Sequence, residues 1–155
     1  MSTRSRIAVK FNDGSVKSVY CHHDGYLSYV GKTLLDFHNS QSLAELIVKY
    51  GDMSSLGQIT EPLTEFHSFE NREKNVSVYY GRDRKETDVD ALHYETELDM
   101  FNDVVNDNKF FDIEFFYYWN GSEWLVKENQ TVYNLDGSKW LELSHDLINP
   151  DAELM

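Results

Sequence analysis

Three stretches of this sequence hold residues whose types and spacing could do chemistry. The first is Cys21-His22-His23-Asp24, the densest group of ligand-type side chains. A Cys–His pair can activate a thiolate, and His with Asp can bind zinc. Adjacent residues at a strand end point in alternating directions, however, so Cys21 and His22 would face opposite sides. His38, His67, His93 and His145 are scattered singly, and no second cluster has metal-ligand spacing. The plainer reading is a buried small Cys followed by a polar turn, with no metal and no cofactor.

The second stretch is Gly81-Arg82-Asp83-Arg84-Lys85, the only tight basic cluster. Arginine forks match phosphate geometry. If this turn met the polar loop after Cys21, then His22, Asp24, Tyr26, Arg82 and Arg84 would line a pocket for a nucleotide or phosphate ligand, the site of a small binding domain or enzyme. The plainer reading is a solvated loop that balances nearby acids. There is no P-loop and no paired-glycine dinucleotide fingerprint. Asp13-Gly14, Asp24-Gly25 and Asp136-Gly137 are turn chemistry, without the spacing of a calcium-binding EF-hand.

The third stretch is acidic. Glu86, Asp88, Asp90, Glu95, Glu97, Asp99, Asp103, Asp107, Asp112 and Glu114 face a single counter-charge, Lys109. Asp99 and Asp103 lie four apart on an expected helix, hence on one face, where like charges repel. Solvent screening is the common reason a protein tolerates such a stripe. The sharper reason is a basic partner, which carboxylates can engage by imitating nucleic-acid phosphates. Residues Glu86 to Asp107 are therefore the candidate partner-binding set.

Charge along the chain supports this division. The formal net charge is −13, from 27 acidic and 14 basic residues. Residues 1–50 hold six basic and four acidic residues, whereas residues 51–155 hold eight basic and 23 acidic ones. Phosphate contacts need clustered Lys and Arg, so direct nucleic-acid binding is not expected. With 14% aromatic residues, the chain is unlike a disordered acidic tail. The N-terminus lacks the apolar core of a secretory signal, and no apolar run approaches a membrane span. The lone Cys21 cannot form an intrachain disulfide, which suits a reducing cytoplasm.

The elements that must position these residues read as follows. Arg6–Phe11 and Val16–Cys21 form a hairpin around Asp13-Gly14. A helix runs from a Ser28 cap to about His38, with Val30, Leu34 and Phe37 on one face. Ser42-Leu43-Ala44-Glu45 is a capping-box pattern that opens a second helix, stopped by Gly51. Residues 51–75 show little period and read as packed loop. Val76–Tyr80 alternates as a strand. A helix over Thr96–Val105 carries Tyr94, Leu98, Phe101 and Val105 at helical spacing. Phe110–Trp119 and Glu123–Glu128 make a hairpin at Asn120-Gly121, and Lys139–Leu143 is a further strand after a turn at Tyr133–Ser138. The expected fold is a single α+β domain: an antiparallel sheet of five or six strands in hairpins, with two or three helices packed on one face.

The blocks Met1-Ser2-Thr3-Arg4-Ser5-Arg6-Ile7, Val19-Tyr20-Cys21-His22-His23-Asp24-Gly25-Tyr26 and Gly51-Asp52-Met53-Ser54-Ser55-Leu56-Gly57 resemble a family of small uncharacterised proteins of tailed bacteriophages. Gly31 with Leu34 and the run Tyr80–Arg84 are similar to the same pattern. The family has no assigned activity, so no catalytic residues carry over. The resemblance implies a non-structural phage protein made in the cytoplasm of an infected bacterium. Together with the acidic stretch, it leads to an expectation: a non-catalytic protein that modulates or inhibits a basic or nucleic-acid-binding protein partner.

Overall fold

In a computed structural model of the chain, residues 2–105, 107–129 and 140–149 are described. They form one mixed sheet with helices on both faces. The first hairpin stands as expected: β1 (Ser5–Lys10) pairs antiparallel with β2 (Val16–Cys21), Ala8 opposite Ser18. After β2 the chain makes a π-helical turn, Leu27–Gly31, which continues into α1 (Lys32–Phe37) and then α2 (Gln41–Ile47). Ser40, not Ser42, caps α2, its Oγ accepting from Leu43 N at 3.3 Å. Glu45 instead accepts from Gln41 Nε2 at 2.7 Å.

The stretch expected to be packed loop contributes a short strand, β3 (Met53–Ser55), parallel to β2 and antiparallel to β4 (Val78–Tyr79). Gly81–Lys85 is a helical turn rather than an open exit: α3 spans Tyr80–Arg84, and Lys85 closes it in the left-handed conformation. Another short strand, β5 (Leu92–Tyr94), pairs antiparallel with the first half of β2. The acidic helix α4 (Glu97–Val104) starts as expected, with the Thr96 hydroxyl accepting from Asp99 N at 3.1 Å.

The aromatic run divides into a short helix, α5 (Asp107–Phe110), and β6 (Phe115–Trp119). β6 pairs antiparallel with β7 (Trp124–Glu128), and β8 (Leu141–Glu142) follows on its far side. α6 (His145–Ile148) is the last described element. The turn expected at Tyr133–Ser138 lies outside the described residues.

The strand order is β4-β3-β2-β1-β6-β7-β8, with β5 added to β2. The α+β class holds, with eight strands in place of five or six. Two expectations are corrected. The hairpins are antiparallel, but β1 and β6 lie parallel at the centre, Ile7 beside Tyr117, because the chain crosses over between them. The helices also cover both faces instead of one. Strand alternation sends Ile7, Val9, Val19 and Cys21 to one side, where Val30, Leu34, Ala44 and Ile47 cover them. Ala8, Val16, Phe116 and Tyr118 point to the other side and are covered by Met100, Val104 and Phe110. The two-sided apolar pattern of β6 requires that second cover.

No helix among the described residues is long and apolar enough to cross a membrane.

Candidate functional site

The acidic stretch folds as the loop before β5, β5 itself, α4 and α5. Its carboxylates divide into two groups. Glu97 and Asp103 are partly internal: Glu97 accepts from the Tyr118 hydroxyl at 2.7 Å, and Asp103 accepts from Lys109 Nζ at 2.7 Å and from the Tyr94 hydroxyl. Burial works to raise the Asp103 pKa, but those two donors outweigh it and hold the carboxyl below the ordinary range. Glu86, Asp88, Asp90, Glu95 and Asp99 are exposed. Of these, Glu86 lies 3.8 Å from Arg84 and Glu95 4.0 Å from His93, loose pairs of small energetic weight. The backbone of Asp107 belongs to α5, while its side chain lies outside the described residues.

The apolar face of α4 is turned from the one expected. Met100 and Val104 are buried and Phe101 is partly buried, while Leu98 and Val105 point outward. Leu98 is 65% exposed and Val105 54%, and Phe111 beyond α5 is 77% exposed. The result is a surface that mixes carboxylates with large apolar side chains.

The alternative ligand site does not assemble as expected. His22 Nδ1 is 2.6 Å from the Tyr20 hydroxyl, and the His22 and His23 rings meet edge to face. Burial, helped by His23 and Arg4, lowers the His22 pKa. Asp24 adopts a positive φ of 57°, which lets Gly25 pack against Ser5 and Thr3. Tyr26 precedes the π-helical turn and is exposed. Cys21 is fully buried, which pushes its thiol up to about 12 and leaves it unreactive.

Arg82 lies two strands away. Its Nη1 donates to Thr60 O at 2.7 Å, Nη2 to Ser77 O at 2.8 Å, and Nε to Asp83 Oδ1 at 2.8 Å. Its guanidinium also sits over the Tyr50 and Tyr79 rings. Four of its five N–H donors are engaged within the fold, so Arg82 has no free fork to offer a phosphate. Arg84 stacks on Phe69, as does Arg72. The cavity beside it is lined by Ser68, Phe69, Glu70, Asp83, Arg84 and Lys85, and by no residue of the loop 21–26.

A constellation not foreseen lies on the other face of the sheet. A cavity of about 310 Å³ opens where the loop before β5 meets β1, β2 and α5. Its lining includes Arg6, Tyr20, Asp52, Asp88, Asp90 and Asp112. Gly51 shapes this corner: its φ is +82°, and a Cβ there would stand 2.2 Å from Val89 O. Asp52 N donates to Val89 O at 2.8 Å, which pins the rim that carries Asp88 and Asp90. Asp52 Oδ1 accepts from Tyr20 N at 2.9 Å, filling the gap between β3 and β5 along β2. Burial raises the Asp52 pKa against the opposing pull of that bond and of Arg6. No local motif marks this site. Its one sequence signal is an arginine on a strand face that the fold later covers with acid.

Among the described residues, no group of three or more His, Cys, Asp or Glu is placed to hold a metal ion. No protein-family model matches this chain, and neither a curated protein nor a solved structure matches it.

Proposed function

We propose that this is a non-catalytic binding protein whose acidic face, residues 86–114, docks onto a basic protein partner and modulates or inhibits it. The observation that carries this reading is the exposure of Leu98, Val105 and Phe111 amid the carboxylates of the same stretch. Apolar anchors beside a charged rim are the combination protein interfaces use, and this stretch carries both. The carboxylates would steer association with a basic surface, and the apolar residues would slow its dissociation. A nucleic-acid-handling or defence enzyme of a bacterial host fits such chemistry, with the exposed carboxylates standing in for phosphates. The phage-like motifs of the first third agree with that setting.

The test is capture of partners from bacterial lysate by the immobilised full chain, alongside a Glu95→Lys/Asp99→Lys variant and a Leu98→Ser/Phe111→Ser variant. Partner retention should fall steeply between roughly 50 mM and 500 mM salt, where screening shortens to a few ångströms. It should be lost with charge reversal and weakened by apolar removal. Duplex DNA should compete for the captured partner if the carboxylates mimic phosphates. Retention that ignores both variants would place the interface elsewhere.

A further inference from the structure

The cavity around Arg6 contains charges that the fold does not neutralise. Arg6 is 9% exposed, and its guanidinium lies 5.3 Å over the Phe110 ring. Nε donates to Ser18 Oγ and Nη2 to Ser18 O, each at 3.0 Å. Nη1 has no hydrogen-bond partner among the described residues, and it is not sealed from solvent. It therefore presents an unused donor to the cavity that Arg6 lines. Asp52 faces it with one carboxylate oxygen engaged by Tyr20 N and the other without a partner among the described residues. Asp88, Asp90 and Asp112 complete an acidic rim. The remaining cation at the cavity, Lys109, is paired with Asp103 at 2.7 Å.

These charges select a ligand by elimination. A simple anion would meet four carboxylates against one guanidinium. A simple amine would pair with the carboxylates but leave the Arg6 Nη1 donor to water alone. A molecule with one acceptor group beside cationic groups satisfies both. The volume suits a free amino acid.

We propose that this cavity binds a free α-amino acid with a cationic side chain: its α-carboxylate accepts from Arg6 Nη1, its α-ammonium donates to Asp52, and its side-chain cation lies among Asp88, Asp90 and Asp112. This site shares Asp88, Asp90 and Asp112 with the acidic stretch 86–114 but none of the apolar anchors of the docking face. Leu98, Asp99 and Phe111 do not line it, so titration of the isolated protein tests it separately from partner capture.

Isothermal titration calorimetry tests this with L-arginine, L-lysine, L-leucine, L-glutamate and agmatine, which is arginine without its carboxylate. Arginine and lysine should bind, with agmatine and leucine each weaker by at least about tenfold. Glutamate should not bind. Asp52→Asn keeps an oxygen for Tyr20 N but removes the charge, and should weaken arginine at least about tenfold. Asp90→Asn, on the exposed rim, should weaken arginine and leave leucine unchanged. Near-ultraviolet circular dichroism confirms that each variant is folded. Absence of arginine binding at roughly 10 mM would show a cavity filled by water only and overturn the proposal. Agmatine binding as tightly as arginine would remove the role of Arg6, and leucine doing so would remove that of the rim. Either result overturns the assignment.

Discussion

Replacing Arg82 with alanine should destabilise this protein by roughly 3–5 kcal/mol, the range for breaking a buried charge pair by removing one partner. The magnitude follows from what the guanidinium holds. It ties α3 to two other segments, through Thr60 O and through Ser77 O just before β4, and pairs with Asp83 of its own helix. The Asp83 side chain is 2% exposed, so without Arg82 a carboxylate stays buried beside His67 and Tyr79 N only. Two carbonyls lose charged donors, and two ring faces lose a cation. These losses overlap and do not sum. The assay is urea unfolding at neutral pH, with thermal melting as a check. At roughly 2–4 °C per kcal/mol for a chain of this size, the melting temperature should fall by about 10 °C. Arg84→Ala, which removes an exposed stacked side chain, should change stability by less than about 1 kcal/mol. Arg82→Ala combined with Asp83→Ala should destabilise by less than the sum of the single changes, since the stranded charge is then gone. A loss below about 1 kcal/mol for Arg82→Ala would refute the clamp and return Arg82 to the ligand-site reading.

Other outcomes follow from single contacts. Gly51→Ala should destabilise by about 2 kcal/mol or more, because a positive φ and a 2.2 Å approach to Val89 O coincide there, and hydrogen exchange should rise at Asp52 N. Thr96→Ala should lose about 1 kcal/mol of cap energy, read by chemical denaturation, and Thr96→Ser should restore most of it. His38 is buried with Nε2 donating to Gly57 O and Nδ1 unpartnered, and burial lowers its pKa. A pKa depressed in the folded state means that the unfolded chain binds more protons. Stability is then full above the unfolded value, near 6.5, and is lost as pH falls below it toward the folded value. His38→Gln should flatten that slope in unfolding curves taken between about pH 7.5 and pH 5. Native Cys21 should resist alkylation at about pH 8 and react once the chain is unfolded.

Much of the fold was legible locally. Asp13-Gly14 and Asn120-Gly121 set their hairpins because positive-φ turn residues between alternating strands admit few other conformations. Thr96 announced the start of α4. The short strands β3 and β5 were not legible, since three residues show no period and each exists only because β2 offers an unpaired edge. The facing of α4 was also misjudged. Helical spacing shows that a stripe exists, but the neighbouring strands select which of two overlapping stripes is buried.

The same division holds for the candidate sites. Composition and order along the chain determined the acidic excess after residue 50, the single thiol and the one basic cluster, because these depend on residue identity alone. They also determined the density of carboxylates over 86–114. Only the tertiary structure decided what each charge does. It placed Arg82 against Asp83, Thr60 and Ser77, and kept His22–Tyr26 and Arg82 apart by two strands. It left Leu98 and Phe111 in water, and brought Arg6 from the first strand beneath Asp52, Asp88 and Asp90. A charge acts through distance and burial, and both are set by contacts between residues far apart in the chain.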